Sequence, residues 1–229
     1  IYVVNIKVDL PSICTLHLSK RHKMNIIGIV GFIGSGKGTV GQYLVQNHNY
    51  TETSFAKSLK DTVAAAFCWP RELLEGDTPE SREWREQVDP WWSKKLGRPV
   101  TPRWALQYIG TDVFRMHFNT NIWTWNVEKQ ILNHNGNVVI TDARFPNEVN
   151  LLREMGGKII WVRKPELPEW YDSAMSQNKN LSYDMTKNYP DVHQSEWAWI
   201  GTPIDASIIN DKTIKDLYKA TDKCLITLK

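Results

Sequence analysis

Residues 24–48, MNIIGIVGFIGSGKGTVGQYLVQNH, decide the fold. The first part, 26–30, is a short apolar run bounded by glycine, the pattern of a strand buried on both faces of a parallel sheet. From Lys37 to Gln46 the spacing turns helical, with Val40, Leu44 and Val45 on one side. Between the two, the eight residues GFIGSGKG carry four glycines and a lysine. Gly31, Gly36 and Lys37 fit GxxxxGK, a phosphate loop. Such a loop turns its backbone N–H groups inward on one anion, and glycine lets phosphate oxygens come close. The helix opening at Lys37 adds the positive end of its dipole. Gly34, Ser35, Gly36, Lys37, Gly38 and Thr39 are the expected cradle, with Lys37 reaching the β and γ phosphates of a nucleoside triphosphate.

Working outward, a strand is expected over 50–55 and a helix over 56–67, ended by Pro70. Residues 70–104 are charged, proline-punctuated and tryptophan-rich without a clear period, as in an inserted irregular or short-helical region. Thr101-Pro102 is a helix-start signal for 101–118, and a further helix covers 121–132. The stretch GNVVITDARFPNEVNLLREMGGKIIWVRKP predicts a strand at 137–141, a helix at 146–155 stopped by Gly156 and Gly157, and a strand at 158–163. Residues 165–200 are polar and too long for an ordinary connection, so they are expected to be a mobile lid. A strand over 205–210 and a helix over 213–228 close the chain. Strands separated by helices imply an α/β fold, a doubly wound parallel sheet of about five strands with right-handed crossovers.

The bulk composition agrees with a single domain. A chain of 229 residues buries roughly 70 to 75% of its unfolded surface without help from disulfides. Three widely spaced cysteines, Cys14, Cys68 and Cys224, form no CxxC pair, so neither a disulfide framework nor a zinc site is indicated. The net charge of +3, with acids and bases interspersed, argues against a dedicated nucleic-acid surface. No apolar run reaches the length of a membrane span. A cytoplasmic setting follows, the host cytoplasm if the chain is viral. Residues 1–23 lack an initial methionine and carry their basic cluster after the apolar portion, the reverse of a secretory signal. We expect Met24 to be the native start, with 1–23 a non-native or disordered extension of a 24–229 domain.

An enzyme that moves a phosphoryl group between two anions needs cations converging opposite the loop. Asp142 and Arg144 lie just past the carboxyl end of a predicted strand, the edge where ligands bind in open α/β sheets. Arg144 could grip a phosphate. Asp142 could order a magnesium hydration shell, orient an arginine, or simply cap a helix. Glu148 on the next helix could accept hydrogen bonds from a base or sugar. The residue after the lysine is Gly38 where a typical phosphate loop has a magnesium-binding Ser or Thr, and Thr39 follows. The metal ligands therefore stay open between Thr39 and Asp142, directly or through water. This GKGT form is similar to that of nucleoside monophosphate kinases such as adenylate kinase.

Three further stretches carry a more specific likeness: ALQYIGTDVFRMHFNTNIWTWNV, VVITDARFPNEVNLLREMGGKIIWVRKP and HQSEWAWIGTPIDASIIND, in that order behind GFIGSGKGT. Together they resemble the deoxynucleoside monophosphate kinases of tailed bacteriophages over nearly all of residues 25–220. The resemblance implies a P-loop kinase fold with a helical insertion and lid, transfer of the γ phosphate of ATP to a deoxynucleoside monophosphate, ATP and Mg2+ as cofactors, and small-molecule partners, with a homodimer compatible. By position it implies substrate contacts from Arg103, Gly110, Thr111, Trp123, Asp142, Arg144 and Glu148, and from Arg82 in a loop that is hard to align. Lys37, Arg103 and Arg144 would be the catalytic set. Lys57, Arg163, Lys164 and His193 are weaker candidates.

Of eleven tryptophans, six fall between 84 and 125. Trp123, and after it Trp104, are the candidates to face a nucleobase, while the others read as packing. The rivals are a P-loop kinase for another small acceptor, such as dephospho-coenzyme A or shikimate, and an ATP-binding regulatory protein without an acceptor pocket.

Overall fold

The structure, a computed structural model, describes residues 24–181 and 183–228. The expectation for residues 1–23 falls outside the described residues.

Five strands form one sheet: β1 (Ile26–Val30), β2 (Tyr50–Thr53), β3 (Asn137–Ile140), β4 (Lys158–Arg163) and β5 (Ala206–Ile209). Their order is β2-β3-β1-β4-β5, and every pairing is parallel. All five residues of β1 are buried, because a central parallel strand is covered on both faces. Its side chains divide by the period of two. Ile26 and Val30 join Val138, Ile140, Val149 and Leu152 in one core cluster, while Ile27 and Ile29 join Val40, Leu44, Val139 and Leu217 in another. Helices α1 (Lys37–His48) and α11 (Ile214–Thr227) cover the second face. The first is covered by α6 (Ile122–Leu132), α7 (Pro146–Glu154) and the segment after β4. This is the expected doubly wound parallel α/β architecture, with the phosphate loop following its central strand.

The strand order positions the site. The helices that follow the neighbouring strands β1 and β3, α1 and α7, lie on opposite faces of the sheet, so the loops leaving these two strands part between them. At such a point the loops part and leave room at the carboxyl edge. The phosphate loop and residues 141–145 both emerge there.

Between α2 (Lys57–Phe67) and α6 lies the helical insertion: a 3-10 turn (Glu72–Leu74), α3 (Pro79–Glu86), α4 (Pro90–Leu96), α5 (Pro102–Gln107) and a π-helix (Tyr108–Phe118). Thr78, Asp89 and Thr101 cap the three α-helices, each followed by proline at the first helical position. The region has its own small core, with Val63, Trp69, Leu74, Val100 and Ala105 buried and Trp84, Trp92 and Trp104 packed against it. The continuous α-helix expected over 101–118 instead changes to π geometry at Tyr108. There Gly110 packs so closely on Leu59 that a Cβ would lie 2.5 Å from Leu59 Cδ2.

The segment after β4 contains α8 (Tyr171–Asn178), α9 (Met185–Asn188) and α10 (Gln194–Trp197). Despite its polar composition it sends Ala174, Met185, Trp197, Trp199 and Ile200 into the first core cluster.

Candidate active site

Gly36 caps α1 in the left-handed region at φ 102°, and no side chain caps the helix. The first-turn N–H groups of a twelve-residue helix are thus left to an anion. A Cβ at Gly36 would fall 2.6 Å from Asn210 Nδ2, so only glycine fits. Asn210 follows β5. It donates from Nδ2 to the Ser35 carbonyl at 2.9 Å and from its backbone N–H to the Arg163 carbonyl at 2.7 Å, tying the loop to two strands. Nothing in the local pattern around Asn210 marks it. Its role arises only because β5 ends beside the loop.

Ser35 is 1% exposed, and its Oγ is buried without a hydrogen-bond partner. Phe32 turns out of the loop onto Trp170, Tyr171 and Trp199, with ring centroids at 5.4, 6.2 and 5.3 Å. The loop is thereby packed against the segment after β4. Lys37 Nζ donates to the Gly31 and Phe32 carbonyls at 2.6 and 2.7 Å. Burial, reinforced by the charge of Arg144, pushes its pKa down to about 8, with Glu196 and Asp142 pulling the other way. Charges from the turn after β3 and from α10 thus bear on the ammonium group of the loop.

Arg144, in the turn after β3, is near enough for its charge to bear on Lys37. Its Nη1 donates to Glu196 Oε1 at 2.5 Å. Glu196 is a residue that sequence reasoning did not single out. Asp142 takes the capping alternative: it accepts from Ser54 Oγ at 2.7 Å, Phe55 N at 3.1 Å and Ala56 N at 2.9 Å, fixing the entry to α2. Glu148 is 2% exposed and turned inward. It accepts from the backbone N–H groups of Arg144 at 2.7 Å and Phe145 at 3.1 Å, and from the Arg115 guanidinium. Burial pushes its carboxyl pKa up, opposed by Arg115 and the Arg144 N–H. Both carboxylates hold protein here rather than facing outward.

In the insertion, Arg103 Nε pairs with Glu86, and Arg82 donates from Nε and Nη2 to the carbonyls of Gly76 and Asp77, both at 3.0 Å. Trp123 is 5% exposed, donates its indole N–H to the Gly110 carbonyl at 3.0 Å and packs on Phe114. It is a packing residue, because the indole has found its partner inside the fold. Trp104 stacks on Tyr108 at 5.1 Å with Arg98 over its ring. Thr111 is half-buried in the π-helix.

Lys57 pairs with Asp61 at 2.8 Å on an exposed face. Arg163 donates to the carbonyls of Lys164 and Pro165 and lies over Trp161, while Lys164 is exposed. His193 caps α10 through Nδ1, and burial holds its pKa below the usual range. Among the described residues, no group of three or more His, Cys, Asp or Glu side chains could hold a metal ion, and no helix is long and apolar enough to cross a membrane.

Comparison with known proteins places this geometry. The family model described as deoxynucleotide monophosphate kinase matches residues 94–221, more than half of the chain. The chain belongs to the deoxynucleotide monophosphate kinase family. The kinase is 29% identical over 216 residues to an Acanthamoeba polyphaga mimivirus protein that carries the deoxynucleotide monophosphate kinase name, covering 88% of this chain and 96% of that one. It is 45% identical over 56 residues to the deoxynucleoside-5'-monophosphate kinase of Escherichia phage T5, spanning 24% of this chain and 22% of that one. Among solved structures, dephospho-CoA kinase from Campylobacter jejuni superposes with a TM-score of 0.46 at 16% identity, over 90% of this chain and 98% of that one. As a member of this family the protein is a phosphotransferase that phosphorylates deoxynucleoside monophosphates.

Proposed function

We propose that the kinase transfers the γ phosphoryl group of ATP to the phosphate of a deoxynucleoside monophosphate. An oxygen of the acceptor phosphate attacks the γ phosphorus in line, the bond from that phosphorus to the β–γ bridging oxygen breaks, and ADP leaves with that oxygen. No protein nucleophile is needed, so the work is positioning and charge neutralisation.

One observation carries the reading: Lys37 of the phosphate loop and Arg144 of the turn after β3 both follow the carboxyl ends of the neighbouring parallel strands β1 and β3. Lys37, the first-turn N–H groups of α1 and the loop residues Gly34, Ser35, Gly36, Gly38 and Thr39 hold the donor phosphates. The buried Ser35 Oγ and the uncapped helix fit that anion. Arg144, Arg103 and Arg82 face the acceptor. Asp142 and Glu148 act through what they hold, the entry to α2 and the backbone at Arg144, while Gly110, Thr111 and Trp123 shape the wall behind.

Magnesium fits as an ion carried by the nucleotide. Mg2+ keeps several waters and takes few protein ligands, and here Asp142 is already engaged with residues 54–56. Thr39, the first hydroxyl after Lys37, could meet the ion's shell. When bound, the ion would neutralise charge on the β and γ phosphates. The exposed polar parts of residues 165–200 would close over the nucleotides to exclude water, while Ala174, Met185, Trp197, Trp199 and Ile200 stay in the core. A host cytoplasm would be the setting for such work, in keeping with the virus and phage sources of the relatives.

The test is ADP release measured with ATP, magnesium and a panel of all deoxy and ribo monophosphates. Transfer to at least one deoxynucleoside monophosphate is expected. ATP binding or hydrolysis without transfer to any of them defeats the proposal.

A further inference from the structure

Arg85 is absent from every motif in the sequence, yet its surroundings are unusual. Its guanidinium lies flat against Gly76, so close that a Cβ there would fall 1.9 Å from Nη2 and 2.0 Å from Cζ. Gly76 itself sits at φ 70°, a conformation glycine adopts without strain. Its carbonyl is already taken by Arg82. The other arginines of this neighbourhood have acceptors of their own: Arg103 has Glu86, Arg82 has two carbonyls, and Arg144 has Glu196. Arg85 Nε is buried without a hydrogen-bond partner, and no ion pair to Arg85 occurs among the described residues. Burial holds the guanidinium below its usual pKa, and the positive charges of Arg103, Arg144 and Arg82 reinforce that against Glu86 alone.

A half-buried cation whose Nε is sealed off without a partner, set among like charges, is costly unless an anion completes it. The anion must be compact and multivalent, because the fork of a guanidinium is met by a phosphate with two oxygens at once. Arg85 adjoins Glu86 on α3, and Glu86 pairs with Arg103 at the start of α5, so Arg85 lies beside another arginine proposed to face the acceptor.

We infer that Arg85 is a direct ligand of the acceptor's phosphate, held flat on Gly76 so that its free edge faces that anion. This deepens the function proposed above and rests on it. Arg82, fastened to its own backbone carbonyls, braces the 76–77 turn on which Arg85 lies.

The experiment compares binding of the best acceptor from the panel with that of its deoxynucleoside, which lacks the phosphate, by calorimetry on the wild type and Arg85→Met. The variant is expected to bind the monophosphate about 10- to 100-fold more weakly. The deoxynucleoside and ATP are expected to bind within twofold of wild type. Unchanged monophosphate binding overturns the inference, and so does an equal loss for the deoxynucleoside, the outcome expected of a merely structural role.

A second measurement uses only the wild type: phenylglyoxal modification of Arg85, followed by mass spectrometry of its peptide. The monophosphate should slow it and the deoxynucleoside should not, whereas equal rates overturn the inference. A wild type inactive on every monophosphate defeats the proposed function. A wild type active on one, with Arg85→Met unimpaired, defeats only the role of Arg85.

Discussion

The phosphate loop meets its anion with one continuous stretch of main chain between β1 and α1, whereas the arginines opposite come from α3, α5 and the turn after β3. The loop needs little beyond glycine, a lysine and the strand that aims it. The opposite side needs a carboxylate or carbonyl partner for nearly every guanidinium: Glu86 for Arg103, Glu196 for Arg144, two carbonyls for Arg82. Main-chain recognition is stiff and local. Side-chain recognition is spread over distant segments and depends on their packing.

The sharpest way to break the contrast is Arg144→Ala, which removes the cation at the carboxyl edge of β3, next to the strand that leads into the loop. Turnover should fall roughly 10³ to 10⁵-fold, the scale of a catalytic arginine. A single-turnover assay showing less than a tenfold change removes Arg144 from the site. Lys37→Ala tests the loop, where the backbone cradle survives the loss of one side chain. A smaller loss of about 10² to 10³-fold in turnover is expected, and near-normal transfer would show that the loop does not hold the reacting phosphates.

Glu148→Ala probes how far the arginine side depends on packing, since it leaves Arg115, whose side chain is 11% exposed, without its carboxylate. Chemical denaturation should show a loss of about 3 to 5 kcal/mol; a loss below 1 kcal/mol would mean that Glu148 does not brace the turn after β3.

The pH profile sharpens the loop's side. Lys37 binds phosphate as an ammonium and loses its proton near pH 8 in the free enzyme. The kcat/KM for ATP should therefore be level below about pH 8 and fall about tenfold per unit above it. The kcat profile should break at higher pH, since bound phosphate favours the charged form. A level kcat/KM up to pH 10 would contradict the burial of Lys37. The smallest effect belongs to Asn210→Ala, which removes one hydrogen bond to the Ser35 carbonyl. At about 0.5 to 1.5 kcal/mol, a rise in the KM for ATP of roughly two- to tenfold is expected with kcat little changed. A fall in kcat alone would place Asn210 elsewhere in the mechanism.

The same contrast governs what could be read from residues alone. The β1–loop–α1 unit and the strand at 158–163 were legible because period and glycine placement are local signals. The π geometry from Tyr108 was not, since it depends on Leu59 against Gly110 and on Trp123 reaching back to the Gly110 carbonyl. Trp69, Trp84 and Trp92, read as packing, do build or flank the insertion's own small core, whereas Trp123, read as facing a base, is buried with its indole N–H on the Gly110 carbonyl. Polar composition concealed Trp197, Trp199 and Ile200, which seal the first face of the sheet. Arg144 was legible from its place after a strand. Arg85, Glu196 and Asn210 were not, because each matters only through a neighbour at least nine residues away along the chain.

The central position of β1 has a consequence for how the protein is made. Its two neighbours, β3 and β4, end at Ile140 and Arg163. At ribosomal speeds of roughly 5 to 20 residues per second, the nascent strand therefore waits on the order of 10 s for the partners that frame it. Asn210 arrives later still. The earliest part of the site to be translated is thus among the last to be shaped, and during that interval an apolar strand is exposed to whatever chaperones the cell provides.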